Sequence, residues 1–440
     1  MEVRLTPDAA QDLFGSALSP DRGFAQTLDA SDALAGLRDR FELPCREGVD
    51  LIYLAGNSLG PLPTESRHAV EREVQRWASL GVDGWFENPL PWYEIDERFL
   101  APLARVVGAE PREVAVMNGL TVNLHLMLAS FYRPSGRRRR ILIERPCFPS
   151  DRFVVETHLR WHGLDPASAI LEVGPHDDGG PTDEADIEAA LEGAGDEIAL
   201  VLLGGVNFLT GQLLDLHRIA TAARECGAVV GFDLAHATGN VPLRLHDWEV
   251  DFAAWCNYKY VNGGPGAPGG IFIHERHATD SRLGRLGGWW GNDPATRFRM
   301  QLDPDFAPRA DAAGWQLSCP PILAMAPLGP ALALFEEAGM DRLRAKSLRL
   351  TAYLEWLLAG SLGEGGEIVT PRDSERRGAQ LSLRLPGRAR RVHGSLQRAG
   401  VIGDYRQPDF LRLAPAPLFN TFEEMWRAAE ATRIAVREAS

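Results

Sequence analysis

Between about residue 110 and residue 275, short apolar runs alternate with stretches of helical periodicity, and this alternation restricts the fold more than any other feature of the chain. Ile141–Glu144, Ile198–Leu203, Ala228–Phe232, Asp251–Cys256 and Gly270–His274 read as buried strands. Asn118–Asn123 opens a helix that runs on through Leu124–Leu128, and Asp151–Trp161 and Leu216–Cys226 read as two more helices. A strand covered on both faces shows as a continuous apolar run, and parallel strands need a helical crossover between them. The expectation is therefore an α/β fold, a large domain built on a mostly parallel sheet with helices on both faces. In such sheets chemistry gathers beyond the carboxyl ends of the strands.

The flanking regions have a different texture. Residues 1–50 are mixed, with an amphipathic helix expected around Ser31–Phe41. Leu51–Leu54 is strand-like and ends in the turn Ala55-Gly56-Asn57-Ser58-Leu59-Gly60-Pro61, after which Thr64–Leu80 reads as a helix. Beyond about 310, Ala324–Ala338 and Asp341–Leu358 read as helices, Gln380–Leu385 and Phe410–Leu413 as strands, and Glu423–Glu438 as a closing helix. That order suggests a smaller α+β domain. A chain of 440 residues is long enough for more than one unit. The division expected is an N-terminal segment, 1–55, packing with the small domain; a large domain, 56–310; and a C-terminal small domain, 311–440.

Charge and cysteine usage exclude some classes. A formal net charge of -14 argues against a nucleic-acid partner. The one basic run, Arg137–Arg140, reads as a solvated turn at the entrance of a strand. Five scattered cysteines without a CxxC spacing imply reduced thiols and no metal site. The first twenty residues lack the basic start and apolar core of a signal peptide, and no apolar run is long enough to cross a bilayer. No membrane partner and a cytoplasmic location are expected.

Four features fall on the alternating region. Asp233 follows the run Val229–Phe232, so it stands at a strand end. Lys259 follows Phe252–Trp255 one crossover later, with the glycine-rich Gly263–Gly270 behind it. Gly119-Leu120-Thr121 opens a helix, where backbone N–H groups and a hydroxyl suit a phosphate. Phe148-Pro149-Ser150-Asp151 follows the strand Ile141–Glu144 and offers an aromatic face. Taken singly, each is ordinary: a turn aspartate, a loop lysine, an N-cap, a core phenylalanine. Their joint order suits pyridoxal phosphate, which needs an anion beside its pyridine nitrogen, a lysine for the Schiff base and a phosphate cradle.

These stretches, with Tyr53–Gly60, Met117–His125, Thr210–Gln212, Phe232–Asn240, Asn257–Gly264, Gly288–Gly291 and Leu411–Leu418, lie along nearly the whole chain. In this order the sequence resembles the kynureninase family of fold-type I pyridoxal-phosphate enzymes. The resemblance implies Lys259 as Schiff-base lysine and base at Cα, Asp233 as partner of the pyridine nitrogen, and Leu120 and Thr121 as phosphate holders. It implies Phe148 stacked on the ring with Asp151 nearby, His236 and Tyr258 lining the cofactor, and Tyr258 passing a proton. Trp289, Ser318 and Cys319 would reach the site from a second subunit, which implies a homodimer with its site at the interface. Arg412 would clamp the α-carboxylate of an aromatic amino-acid substrate, with Ser58 also on the substrate side. The implied reaction is hydrolysis of the Cβ–Cγ bond of a kynurenine, giving an anthranilate-type acid and alanine.

The chain departs from the family pattern at four places. Trp85 and Asn292 stand where histidines are frequent in the part that meets the aryl group. Gly204 replaces a small hydroxyl residue, and Cys319 replaces an Asn or Thr. Two other readings share the fold: an aminotransferase or cysteine desulfurase, and a non-catalytic cofactor-binding protein. The desulfurase needs a mobile cysteine, whereas Cys319 is followed by Pro320 and Pro321.

Overall fold

The computed structural model describes residues 13–439 apart from residues 16, 88, 176–178 and 281. The acidic first twelve residues, and with them part of the expected N-terminal segment, lie outside the described residues. The centre is a seven-stranded sheet made of β1 (Val114–Met117), β2 (Arg140–Glu144), β3 (Ile170–Val173), β4 (Ile198–Gly204), β5 (Val229–Asp233), β6 (Phe252–Trp255) and β7 (Gly269–Ile273). Their spatial order is β1-β7-β6-β5-β4-β2-β3. Only β7 runs antiparallel to its neighbours. Hydrophobic clusters fill both faces, so the strands are mostly apolar, as the sequence led one to expect. Gly231 in β5 is a packing requirement: a Cβ there would collide with the ring of Phe252 on β6.

Two helices bear directly on the site, α1 (Leu120–Phe131) and α2 (Pro149–Trp161), each entered from the carboxyl end of a strand. The basic run forms the turn into β2. Arg138 donates to the carbonyls of Ile198 and Cys226, while Arg137 stays exposed beside Asp196 and Glu197.

The C-terminal part builds a four-stranded antiparallel sheet from β8 (Glu367–Ile368), β9 (Leu381–Arg384), β10 (Asp404–Arg406) and β11 (Phe410–Leu413), in the order β8-β9-β11-β10. Helices Met340–Leu358, Ala389–Arg398 and Phe422–Ala439 share its apolar cluster. Ala25, Leu28, Ile52 and Leu54 join the same cluster, and Ile52–Tyr53 pairs in parallel with Val401–Ile402.

Two local expectations change. The helix expected around Ser31–Phe41 lies earlier, at Arg22–Ala30, followed by a 3-10 turn at Ala35–Arg40. Asp32 is the reason: its carboxylate accepts the Leu34 N–H at 2.9 Å and pairs with Lys346 at 2.7 Å, which favours a turn over a helix. The helix expected over Ala324–Ala338 is split into Ile322–Met325 and Leu328–Ala338, with Pro327 at the break. Among the described residues no single helix is long and apolar enough to cross a membrane.

Candidate active site

The carboxyl ends of β2, β4, β5 and β6 converge with the N-termini of α1 and α2. Gly119 caps α1, and the place its Cβ would occupy is open space. The hydroxyls of Thr121 and Ser150 lie 2.9 Å apart, one donating to the other, so the two helix starts face a common volume. The first-turn N–H groups of a helix have no partners within it, and they favour an anion. Leu120 itself is buried, so it offers its backbone rather than its side chain.

Three carboxyl groups sit beneath this cradle. Asp233, the last residue of β5, is buried and accepts the Ala235 N–H at 2.8 Å. Asp151, in the first turn of α2, is pushed well above the usual carboxylate range by burial and then by the charge of Asp233. Glu144 ends β2 and is pushed up to about 8, chiefly by burial, although Gly204 N–H donates to it at 2.8 Å and Asn207 Nδ2 at 3.3 Å. Gly204 therefore stands against Glu144: a Cβ at that position would lie 2.8 Å from the Glu144 Oε1.

Lys259 is buried in the turn after β6, which closes with Asn262 N–H donating to its carbonyl at 2.9 Å. Tyr258 is half-buried, and burial, then Cys256, raises its phenol, so the hydroxyl keeps its proton. His236 is pushed well below its usual value by burial, then by Lys259, Arg412 and Arg406, and is a neutral imidazole. Phe148, half-buried at the cap of α2, meets Phe208 edge-on at 5.2 Å.

Arg412 corrects a sequence expectation. Strand periodicity, with Leu411 and Leu413 on either side, sends Arg412 away from the buried side of its strand; instead all three residues are 0% exposed. The second face of the small sheet is covered too, because it packs on the loop after β4. Arg412 Nη1 donates to the Phe208 carbonyl at 2.6 Å, and Ser382, opposite it on β9, donates to the Leu209 carbonyl at 2.5 Å. Arg412 Nη2 donates to Asp404 at 2.6 Å and approaches Ser58 Oγ at 3.4 Å. Sequence reading missed Glu144, Asn207, Asp404 and Arg406. Glu144 and Asp404 are single acids at the ends of short runs, which nothing local distinguishes from turn residues.

The remaining expected residues form an aromatic wall. Trp85 packs edge-on to Trp92 at 5.9 Å and tilted to Trp290 at 6.1 Å. Trp289 meets Trp290 edge-on at 5.4 Å and donates to the Arg297 carbonyl. Asn292 uses both ends of its amide inside its own loop, accepting from Ala307 N–H at 2.8 Å and donating to Thr296 at 3.3 Å. Ser318 and Cys319 are exposed, on a loop tied to the wall by Trp290 N–H and the Leu317 carbonyl. No hydrogen bond or ring contact among the described residues joins Trp289, Ser318 or Cys319 to Lys259 or Arg412 of the same chain.

At the other end of the strands, where β1 begins and β7 ends, Glu113, His246 and His274 come together. Both Glu113 oxygens are already engaged, by the N–H groups of Glu110 and Glu275 and by His246 Nδ1 at 3.0 Å. His274 Nδ1 accepts from Arg276 N–H. The group is a knot that ties loop ends together.

Comparison with known proteins now bears on this geometry. Residues 343–432 match the family model described as the kynureninase C-terminal domain. A curated relative named kynureninase, from Xanthomonas euvesicatoria pathovar vesicatoria, is 52% identical over 407 residues, covering 92% of this chain and 96% of its own length. The chain belongs to the kynureninase family. The expectation of a kynureninase-type hydrolase that uses pyridoxal phosphate is met. Solved structures place the fold in the same class at much lower identity. A cysteine desulfurase from Thermococcus onnurineus superposes with a TM-score of 0.72 at 16% identity, covering 88% of this chain and 95% of that one. A variant of C-DES with glycine covalently linked to its PLP cofactor gives 0.70 at 17%, covering 87% and 96%. At that identity the likeness concerns the fold alone.

This kynureninase-family site fits the cofactor on its own chemistry. Asp151 Oδ1, His236 Nδ1 and Arg412 Nε are buried without a hydrogen-bond partner, an arrangement that is costly unless something is to occupy the space. Three buried carboxyl groups are also gathered where a protonated pyridine nitrogen would supply the balancing charge.

Proposed function

We propose that this site hydrolyses the Cβ–Cγ bond of L-kynurenine or a ring-substituted kynurenine, 3-hydroxykynurenine included, to an anthranilate and L-alanine. The observation that carries the reading is Arg412, fully buried at the same end of the sheet as Lys259 with its Nε unpartnered. A planar guanidinium with free donors is the group that recognises a carboxylate at two points.

Thr121, the N–H of Leu120 and Ser150 would hold the cofactor phosphate, Phe148 would cover its ring, and Asp233, with Asp151 beside it, would face the pyridine nitrogen. His236 and Tyr258 would line it. When bound, pyridoxal phosphate withdraws the electron pair left at Cα of the amino acid. Lys259 takes the Cα proton once substrate has displaced it. Arg412 fixes the α-carboxylate, with Ser58 beside it on the substrate side, and Tyr258, kept protonated by burial, returns a proton. Water then adds at the γ-carbonyl and the Cβ–Cγ bond breaks. Trp85 gives the aryl pocket an apolar face, and Asn292 acts by holding the loop behind it. A homodimer, with Trp289, Ser318 and Cys319 reaching the neighbour's site, completes the reading; an active monomer in light scattering would remove that part.

The test is turnover of kynurenine, 3-hydroxykynurenine and a ring-methylated analogue, with the anthranilate and alanine measured. Release of both without a keto acid is expected, and Lys259→Ala should abolish it. A requirement for a keto-acid acceptor would identify an aminotransferase instead.

A further inference from the structure

We infer that Asp404 is the positioning residue of the carboxylate clamp, an inference that rests on the role proposed for Arg412. Asp404, at the start of the edge strand β10, lies directly across the ladder from Arg412 on β11. Its carboxylate gathers donors from three places in the chain. Arg412 Nη2 donates to Oδ2 at 2.6 Å, Ser58 Oγ donates to the same oxygen, and Arg406 Nη2 donates to it at 3.2 Å.

The consequence for Arg412 is geometric and electrostatic. A guanidinium has five N–H donors. One nitrogen, Nη1, is held by the Phe208 carbonyl, and another, Nη2, by Asp404, so two fixed points set the plane. Nε remains buried and unpartnered, which leaves donor capacity free for an incoming carboxylate. Burial acts to discharge the guanidinium and Asp404 is the first group opposing it, so the carboxylate also compensates a charge that has no water around it. Asp404 stays ionised through Arg412, Ser58 and Arg406 despite its own partial burial. The same carboxylate takes the one Ser58 hydroxyl proton, so Ser58 braces the Asp404–Arg412 pair and leaves the substrate carboxylate to the guanidinium.

A residue acting through Arg412 should affect carboxylate-bearing ligands and spare those that lack the carboxylate. The experiment uses the cofactor-loaded enzyme and follows the change in visible absorbance as L-alanine or ethylamine binds. The ratio of the two dissociation constants measures carboxylate recognition independently of turnover. Asp404→Asn should reduce that ratio by roughly tenfold to a hundredfold, the scale of a misplaced binding group, with ethylamine affinity and cofactor absorbance unchanged. Arg412→Ala should reduce it at least as much, and Asp404→Glu, which keeps the charge, should recover part of the loss. A normal ratio in Asp404→Asn beside a collapsed one in Arg412→Ala overturns the inference and leaves the clamp standing. A normal ratio in both overturns the clamp and the inference with it. Should Asp404→Asn fail to fold, Asp404→Glu decides: a ratio as low as that of Arg412→Ala, with cofactor retained, refutes positioning by charge.

Discussion

Replacing Gly60 by alanine should damage catalysis from a loop that carries none of the reacting groups. Gly60 lies in the turn after the strand Ile52–Tyr53, and its N–H donates to the Tyr258 carbonyl at 2.8 Å. A Cβ there would stand 2.6 Å from the Lys259 carbonyl oxygen and 2.8 Å from the Asn262 Cα, and would overlap the Asn262 side-chain oxygen. Ordinary contact begins at 3.4 Å, so the backbone of the lysine turn must retreat by about 0.8 Å. Two of these neighbours are main chain, and no rotamer change relieves them. Forcing such an overlap costs about 1–3 kcal/mol. A displacement approaching 1 Å at a catalytic group can cost on the order of a hundredfold in rate. The control lies four residues away: at Gly56 a Cβ would meet only Phe419 at 3.5 Å and Ala416 at 3.8 Å. Gly56→Ala should therefore leave both Tm and kcat unchanged, whereas Gly60→Ala should lower Tm by several degrees and kcat by one to two orders of magnitude. The assays are thermal unfolding of the holoenzyme and turnover at saturating substrate. Equal Tm and kcat in the two variants would refute the argument from close approach.

Two further expectations concern groups away from the lysine. Glu113 raises the pKa of His246 above 6.5, so the folded value exceeds the unfolded one; the pair stabilises fully below 6.5 and the contribution fades as pH rises through the folded value. His246→Gln should therefore flatten the fall of Tm as pH rises above 6.5, and identical slopes in variant and wild type would remove the pair from the account. Asn292→Ala strands the Ala307 N–H and should lower Tm without altering the order of preference among ring-substituted kynurenines, while Trp85→His should alter that order; the reverse pattern in the kcat/KM ratios would exchange the two roles.

What was legible in the sequence was whatever periodicity and strand ends encode. The five expected strands of the large sheet are present within a residue or two, and Thr64–Leu80 is a helix over the expected range. Asp233 and Lys259 could be singled out because each follows a run long enough to be recognised as a buried strand. The strands Val114–Met117 and Ile170–Val173, the two edges of the sheet, were not among the expected ones. The helix Glu97–Val107 was hidden by Pro102 in its interior, a residue that ordinarily argues against a helix. Period-two reasoning failed at Arg412 for a different reason. It distinguishes two faces of a strand but not what lies beyond each, and here the second face is covered by a polar loop from the other part of the chain.

That failure explains why one half of the site was legible and the other was not. The cofactor half is local: each group stands at the end of its own strand or the start of its own helix, and one stretch of sequence suffices to see it. The carboxylate half is assembled from Ser58, Phe208, Asp404 and Arg412, which are separated by up to 354 positions in the chain. No window of sequence contains their relation: Arg412 and Ser58 were named only through the family resemblance, and Phe208 and Asp404 not at all. The contact between the small sheet and the loop after β4 creates the relation, and through Ser382 and Gln380 it also satisfies the carbonyls of Phe208 and Leu209. The surface that joins the two parts is thus the surface that orients the clamp. A change that loosens this contact should weaken amino-acid binding before it weakens the hold on the cofactor, since Thr121, Asp233 and Lys259 all belong to the large sheet and its helices.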